Sequence, residues 1–323
     1  MISIIVAVRN GRRHLRTCLK HLLRQTYPPE RLEIILVDDH STDGTDVFLR
    51  RAARRLPIRV LQSLTNSPFQ SSKRAALAVG VENSHGEILL FTDIDCAPAP
   101  DWAQTMVSFF EEKTLLTAGF SPQTAASPLW NQLLLLDAAA AAFAAAGGIK
   151  RGRGVTCTGR NLAYRRSAYT AVGGFARLPN TLSGDDDFML QRISGLPHGK
   201  VRYAFCRQAV VPAVGPPNLK AFLHQKTRHL SAGTAFPLRA KLVYAAFHAV
   251  NLILWTSALF VFVSPLYALP LVIKLVLDRR ALQKFLDPFC LRAGLPAFFL
   301  WEILFVIYHL YCGVLARRQK LRW

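Results

Sequence analysis

The chain has 323 residues, a formal net charge of +20 and 51% hydrophobic residues. This length holds one large domain or two with a buried core. So basic a balance points to nucleic acid or an anionic membrane surface; apolar C-terminal blocks and the lack of any nucleic-acid-binding motif favour the membrane and exclude nucleic acid. None of the six cysteines forms a C-x-x-C pair, which argues against a disulfide framework or a cysteine metal site and fits a reducing compartment.

Ser3 to Val8 reads as a first parallel strand, too short for a secretory leader and followed at once by Arg9 and Arg12. Leu15, Leu19, Leu22 and Leu23 then recur at helical spacing, and Pro28-Pro29 ends that helix. Glu33 to Asp39 (EIILVDD) predicts a second strand ending in paired carboxylates, with a turn and helix start at Ser41 to Gly44. Ile58 to Leu61 is a third strand. A helix from about Ser71 to Asn83 carries Lys73 and Arg74 in its first turn, where the helix dipole opposes cations; such a pair points to an anion, for instance a ligand phosphate.

Gly86 to Cys96 (GEILLFTDIDC) organises the rest. Ile88 to Phe91 is a continuous apolar run, the mark of a central buried strand. Its C-terminal end delivers Asp93 and Asp95, which alternation would place on one face of an extended segment. Ligands bind beyond the carboxyl ends of such strands, and two hard oxygen ligands there suit Mg²⁺ or Mn²⁺ shared with a diphosphate. A helix from Pro100 to about Lys113 and a strand over Leu115 to Phe120 follow, and strands alternating with helices predict a doubly wound α/β layer. Leu129 to Ala146 reads as a helix whose alanine run reflects propensity.

Three adjacent carboxylates, Asp185, Asp186 and Asp187, are costly together unless a cation or proton is involved; one of them can have a raised pKa and act as a base. Asn218 to Ala232 predicts a basic amphipathic helix lying on a membrane surface. Two apolar blocks close the chain, Leu242 to Leu277 and Gly294 to Leu315, and a span takes about 20 residues. The first is long enough to fold as a hairpin at Ser264-Pro265. Three spans would set Arg317-Arg318 outside, and two would set Arg279-Arg280 outside, each against the positive-inside bias; an interfacial segment near Pro265 to Leu277 reconciles both. Glu302 and His309 share one face of the last block and are expected to pair within the protein.

In this order the motifs resemble those of the family-2 glycosyltransferases, inverting enzymes with the Rossmann-like GT-A fold. The resemblance covers roughly Met1 to Gly233. Ala7-Val8-Arg9-Asn10 is similar to the family's first nucleotide-contacting turn, which implicates Val8 and Asn10. Val37 to Asp43 resembles VDDGSTD with His40 in place of the usual glycine; by that match Asp39 accepts the base N–H, with Asp38 nearby. Lys73 resembles the lysine near the diphosphate. In the Asp-x-Asp segment, Asp93 would face the nucleotide sugar and Asp95 the metal. Gly159 to Ala163, with Gly159 and Asn161, and Gly173-Gly174-Phe175 resemble acceptor-side segments. Gly184-Asp185-Asp186 resembles the Glu-Asp motif, which makes Asp186 the base and Asp185 its neighbour and rival. Processive members carry Gln-x-x-Arg-Trp; here Gln225 and Arg228 are kept, with His229 where Trp would stand, so single-sugar transfer is expected, with Gln225 on the acceptor side and Arg228 near the diphosphate.

The resemblance thus implies a GT-A domain over 1–216, an interfacial helix over 217–236 and two to three membrane helices over 237–323. It implies Mg²⁺ or Mn²⁺, a UDP- or GDP-sugar donor, a lipid-linked or membrane-proximal glycan acceptor, and a multi-pass protein of the cytoplasmic membrane whose catalytic domain faces the cytoplasm. The alternatives are a polyprenyl-phosphate sugar synthase, a processive polysaccharide synthase, or a catalytically inactive membrane scaffold.

Overall fold

The computed structural model describes residues 1–197 and 199–318, so the last five residues of the expected membrane region lie outside it. The chain divides into two compact units. Met1–Thr124 and Ala144–Gly215 form the first; Ala125–Phe143 and, of the described residues, 216–318 form the second.

The first unit holds strands β1 (Ile2–Val8), β2 (Leu32–Asp38), β3 (Arg59–Gln62), β4 (Ile88–Phe91), β5 (Thr114–Gly119), β6 (Gln123–Thr124), β7 (Leu162–Arg165), β8 (Lys200–Ala204) and β9 (Ala213–Val214). Between them run helices α1 (Leu15–Leu22), α2 (Thr45–Ala53), α3 (Ser72–Glu82), α4 (Trp102–Ser108), the end of α5 (Pro128–Lys150), α6 (Arg166–Ala171) and α7 (Asp185–Ser194). Seven strands form one sheet in the order β3-β2-β1-β4-β7-β5-β8. The apolar run of β4 does occupy the centre, and all four of its residues are buried. Its neighbour β1 is parallel to it, and Ile4, Ile5 and Val6 of β1 are fully buried. Gly86, at the entrance to β4, is required sterically: a Cβ there would lie 2.4 Å from the backbone nitrogen of Ser3.

One strand departs from the expected parallel order. β7 enters antiparallel between β4 and β5, pairing Phe91 with Leu162. An antiparallel partner starts where its neighbour ends. That register carries Gly159-Arg160-Asn161, just before β7, to the carboxyl end of β4.

The second unit holds the start of α5, then α8 (Leu219–Ser231), α9 (Leu238–Ser257), α10 (Leu269–Leu286) and α11 (Leu295–Arg318). Helical turns prolong α9 to Phe262, and the chain breaks at Ser264-Pro265, where the hairpin was expected. Three helical segments among the described residues are long and apolar enough to cross a membrane: Pro128–Lys150, Leu238–Phe262 and Leu295–Ala316. The first was read from sequence as a matter of alanine propensity; its length and apolarity make it a span candidate. Within this unit Glu302, 2% exposed, pairs with Lys274, which also meets Asp278 at 3.0 Å. Nδ1 of His309 lies 2.9 Å from the Phe305 carbonyl of its own helix.

Candidate active site

The carboxyl ends of β1 and β2 lie side by side, with Val8 opposite Asp38. The Asp39 N–H donates to the Val8 carbonyl at 2.7 Å. Asn10 adopts a left-handed conformation, φ 48°, and clasps the next loop: its backbone N–H donates to Ser41 Oγ at 2.9 Å, and its Oδ1 accepts from the Thr42 N–H at 2.8 Å. Arg9 reaches Asp39 at 3.4 Å and Ser72 at 3.1 Å. Asp38 Oδ2 accepts from Gln62 at 3.1 Å, while its buried Oδ1 has no hydrogen-bond partner among the described residues. Two buried carboxylates thus sit where the ends of the two strands meet.

β4 stops at Phe91, so Asp93 and Asp95 do not share the face of an extended strand as alternation implied. A turn brings them together instead, closed by the Cys96 N–H donating to the Asp93 carbonyl at 3.1 Å. The segment is held from β9, with the Val214 N–H on the Asp95 carbonyl at 3.0 Å. Lys73 donates to Asp93 Oδ1 at 2.5 Å. Burial, then the charge of Asp93, pushes the Asp95 carboxyl above the usual carboxylate range, against the pull of Arg160, Lys73 and His14. Among the described residues no cluster of three or more His, Cys, Asp or Glu could enclose a metal. Two carboxylates without a cage suit a Mg²⁺ or Mn²⁺ whose remaining ligands are substrate phosphates and water, so the residues present fit that ion.

The second acidic cluster opens α7, after Gly184 at φ 91°. Each of its carboxylates has a different partner. Asp185 meets Arg74 Nε at 2.5 Å. Asp186 Oδ2 accepts from the Gly159 N–H at 2.6 Å, and its Oδ1 from the Asp187 N–H at 3.0 Å. Asp187 accepts from the Cys157 N–H at 2.9 Å. Burial raises the proton affinity of Asp187, with the charge of Asp186 adding to it. It also raises that of Asp185, where Arg74 opposes it. Gly159 lies close enough to Asp186 that a Cβ there would sit 3.4 Å from Oδ2.

Two sequence-based expectations need correction. Arg74 was paired with Lys73 as a sign of a ligand phosphate. It is fully buried, and its anion is the protein's own Asp185; its Nη1 donates to the Pro179 carbonyl at 2.8 Å. Asn161 was placed against the acceptor, but it is fully buried with its amide spent inside the protein. Nδ2 donates to the Phe120 and Ala209 carbonyls at 2.8 and 2.6 Å, and Oδ1 accepts from Trp102 Nε1 at 3.0 Å. It ties together the segments around the site. The structure thus gathers Lys73 with Asp93 and Asp95, and Gly159 with Asp186. Gln225 and Arg228 lie on α8, in the second unit.

Arg160 was missed as a site residue, and the partner of Arg74 was not foreseen. Arg160 carried a signal, standing between Gly159 and Asn161, but only the antiparallel register of β7 shows that its charge acts on Asp95. Arg74 carried one too, as a cation at a helix start, but not its partner Asp185, which is more than a hundred residues away in the chain.

The sequence profile of the family described as Glycosyl transferase family 2 matches residues 3–173, and that of Glycosyl transferase family group 2 matches residues 101–315. Among curated relatives, the glycosyltransferase AglE of Haloferax volcanii is 36% identical over 107 residues, 33% of this chain and 34% of AglE. The glycosyltransferase GlyG of Streptococcus pneumoniae is 31% identical over 117 residues, 35% of this chain and 36% of GlyG. The chain therefore spans about a third of the length of these relatives. Among solved structures, the mannosyltransferase PcManGT from Pyrobaculum calidifontis, in complex with GDP-Man and Mn²⁺, superimposes with a TM-score of 0.59 at 17% identity, covering 99% of this chain and 88% of that one. That likeness establishes the GT-A fold, the family profile covers more than half of the residues, and the chain belongs to glycosyl transferase family 2.

Proposed function

We propose that the protein is a membrane-bound inverting glycosyltransferase that moves a single sugar from a nucleotide-diphospho-sugar to a lipid-linked or membrane-proximal glycan. One observation carries the reading. The first unit holds two acidic clusters, a carboxylate pair beside Lys73 at a strand end and a carboxylate fixed by a loop N–H at a helix start. Donor activation needs the first and acceptor deprotonation the second.

The adjoining ends of β1 and β2 take the nucleoside, with Asp39 and Asp38 as acceptors for a base N–H; uracil and guanine both offer one. Asp95 and Asp93 hold Mg²⁺ or Mn²⁺, which when bound supplies electrostatic stabilisation of the departing diphosphate. Lys73 adds a point charge beside Asp93. Asp186 takes the proton from the acceptor hydroxyl as that oxygen attacks the anomeric carbon, and the Gly159 N–H holds the carboxylate in place. Asp185, tied to Arg74, is the positioning neighbour. Span-capable helices and the basic helix α8 support a cytoplasmic-membrane location, with the catalytic unit on the cytoplasmic side.

The test is donor consumption by the full chain in detergent, scanning UDP- and GDP-sugars with and without Mn²⁺. Metal-dependent turnover of one donor class is expected. If no donor or nucleoside diphosphate binds under any metal condition, the transferase reading fails and a membrane scaffold replaces it.

A further inference from the structure

Arg160 is fixed at one place in the catalytic unit. The last pair of the antiparallel ladder is Phe91 with Leu162, so Asp93 and Arg160 stand two residues beyond it on adjoining chains. The backbone is anchored on both sides of Arg160. The Gly159 N–H donates to Asp186 Oδ2 at 2.6 Å. The Asn161 N–H donates to the Thr158 carbonyl at 3.2 Å, and the Asn161 carbonyl accepts from the Gly119 N–H at 2.9 Å. The dipeptide Gly159-Arg160 therefore touches the second acidic cluster with its backbone and acts on the first with its charge.

The protein's own anions do not neutralise this guanidinium. Lys73 pairs with Asp93, Arg74 with Asp185 and Arg9 with Asp39. Arg160 has no carboxylate at ion-pair distance among the described residues. Its Nη2 donates to the neutral Ser121 carbonyl at 3.3 Å. Its Nε is sealed from water and has no partner among the described residues, while the residue as a whole stays partly exposed. A partly buried cation with donors to spare carries a desolvation cost that one neutral hydrogen bond does not return. An incoming anion returns it.

The place selects the anion. The donor's diphosphate comes to the carboxyl end of β4, beside Asp93 and Asp95. A guanidinium presents paired N–H groups that match two oxygens of one phosphate, which the ammonium of Lys73 cannot do. Charge develops on the terminal phosphate, whose oxygen leaves the sugar, and a fixed donor aimed there acts most strongly in the transition state. We infer that Arg160 is a ligand of the terminal phosphate of the donor's diphosphate and stabilises its charge as the sugar departs. The bond from the anomeric carbon to the phosphate oxygen breaks and its electron pair stays on that oxygen. The bond to the acceptor oxygen forms, and the acceptor proton goes to Asp186; Arg160 transfers no proton. Adjacent residues, Gly159 and Arg160, thus serve the two ends of one displacement. The inference rests on the transferase reading above and adds a catalytic residue to it.

The experiment titrates the full chain in detergent, with Mn²⁺, against a nucleoside diphosphate and the matching nucleoside monophosphate, in the uridine and guanosine series. Arg160→Gln should weaken the diphosphate by about 10–100-fold, the loss of a hydrogen-bonded charge contact, and leave the monophosphate near its native affinity. Arg160→Lys keeps the charge beside Asp95 without the fork. It should also lose diphosphate affinity selectively, by a smaller factor, and serves if the glutamine variant fails to fold. Arg51→Gln, exposed on α2, removes the same charge and should change neither affinity. Undiminished diphosphate affinity in both Arg160 variants overturns the inference. So does an equal loss of both nucleotides, the result expected if Arg160 only shapes the site or offsets Asp95. Either result with a native chain that binds nucleotide removes the role of Arg160 alone. A native chain that binds neither nucleotide under any metal condition removes the transferase reading, and this role with it.

Discussion

The two acidic clusters of the catalytic unit use the same residue type in opposite ways. At the end of β4, Lys73 meets Asp93 at 2.5 Å, and the carboxyl of Asp95 is pushed up by burial and by its neighbour. At the start of α7, each of three carboxylates has its own donor: a buried guanidinium, the Gly159 N–H and the Cys157 N–H. At the first cluster two carboxylates lie near one lysine; at the second each carboxylate is fixed by a donor of its own. A donor site must accept a cation and a diphosphate that arrive together, whereas a base must already stand in place when the acceptor comes.

The largest effect should come from the base itself. Asp186→Asn keeps the shape and one of the two N–H contacts but removes proton acceptance, so transfer should fall by about 10²–10⁴-fold, the span general base catalysis supplies. Donor affinity, read by calorimetry with Mn²⁺, should stay near that of the native chain. An equal loss of donor binding would erase the division of labour between the clusters.

Arg74→Ala tests internal compensation. It strands Asp185 in a buried setting, and breaking such a pair costs about 3–5 kcal/mol. Denaturant unfolding of the first unit should show that loss. Arg74→Ala combined with Asp185→Leu, which removes both charges, should recover most of it. A single variant of native stability would mean the helix-start cluster is not held by this arginine.

Asp95→Asn tests the other side. A carboxyl whose folded value is raised contributes stability at low pH that is lost as pH rises through that value. At neutral pH the ionised Asp95 is therefore a burden on the metal-free fold, and Asp95→Asn should leave the melting temperature unchanged or higher. The native chain should gain about 2.7 kcal/mol from Mn²⁺ and a nucleoside diphosphate at a hundred times the dissociation constant. The variant should gain almost none of it. Stabilisation equal to that of the native chain would place the ion elsewhere.

Much of this was legible because it is local. A continuous apolar run marked β4, a Ser-Pro pair marked the break after α9, and the spacing of leucines marked α8. What escaped reading was set by partners distant in the chain. The four residues of β7 are too short to declare a strand, and their antiparallel insertion depends on which neighbours have free edges. Arg74 looked like a phosphate ligand because a cation at a helix start needs an anion, and the argument was sound except for where the anion lay. Asn161 sat inside a recognisable motif, yet its role follows from three segments that meet only in the folded chain. Pro128–Lys150 read as propensity alone because the partners of its single carboxylate, Lys226 and Tyr308, lie far along the chain.

The smallest expected effect concerns the acidic pair between β1 and β2. His40 stands where the family motif has glycine, and the structure shows why glycine is usual there: the backbone is left-handed, φ 52°. A side chain in that region costs about 1–2 kcal/mol, and a glycine gives part of that back as unfolded-state entropy. His40→Gly should therefore raise stability by about 0.5–1 kcal/mol, measured by thermal unfolding. His40 Nδ1 lies 3.4 Å from Gln62 Nε2, which in turn donates to Asp38. If His40 only occupies the turn, donor affinity will follow stability or stay constant. If the strain is retained because the imidazole steadies Gln62 and Asp38, the glycine variant will be more stable and bind nucleotide more weakly. That opposite movement would assign His40 to the nucleotide site.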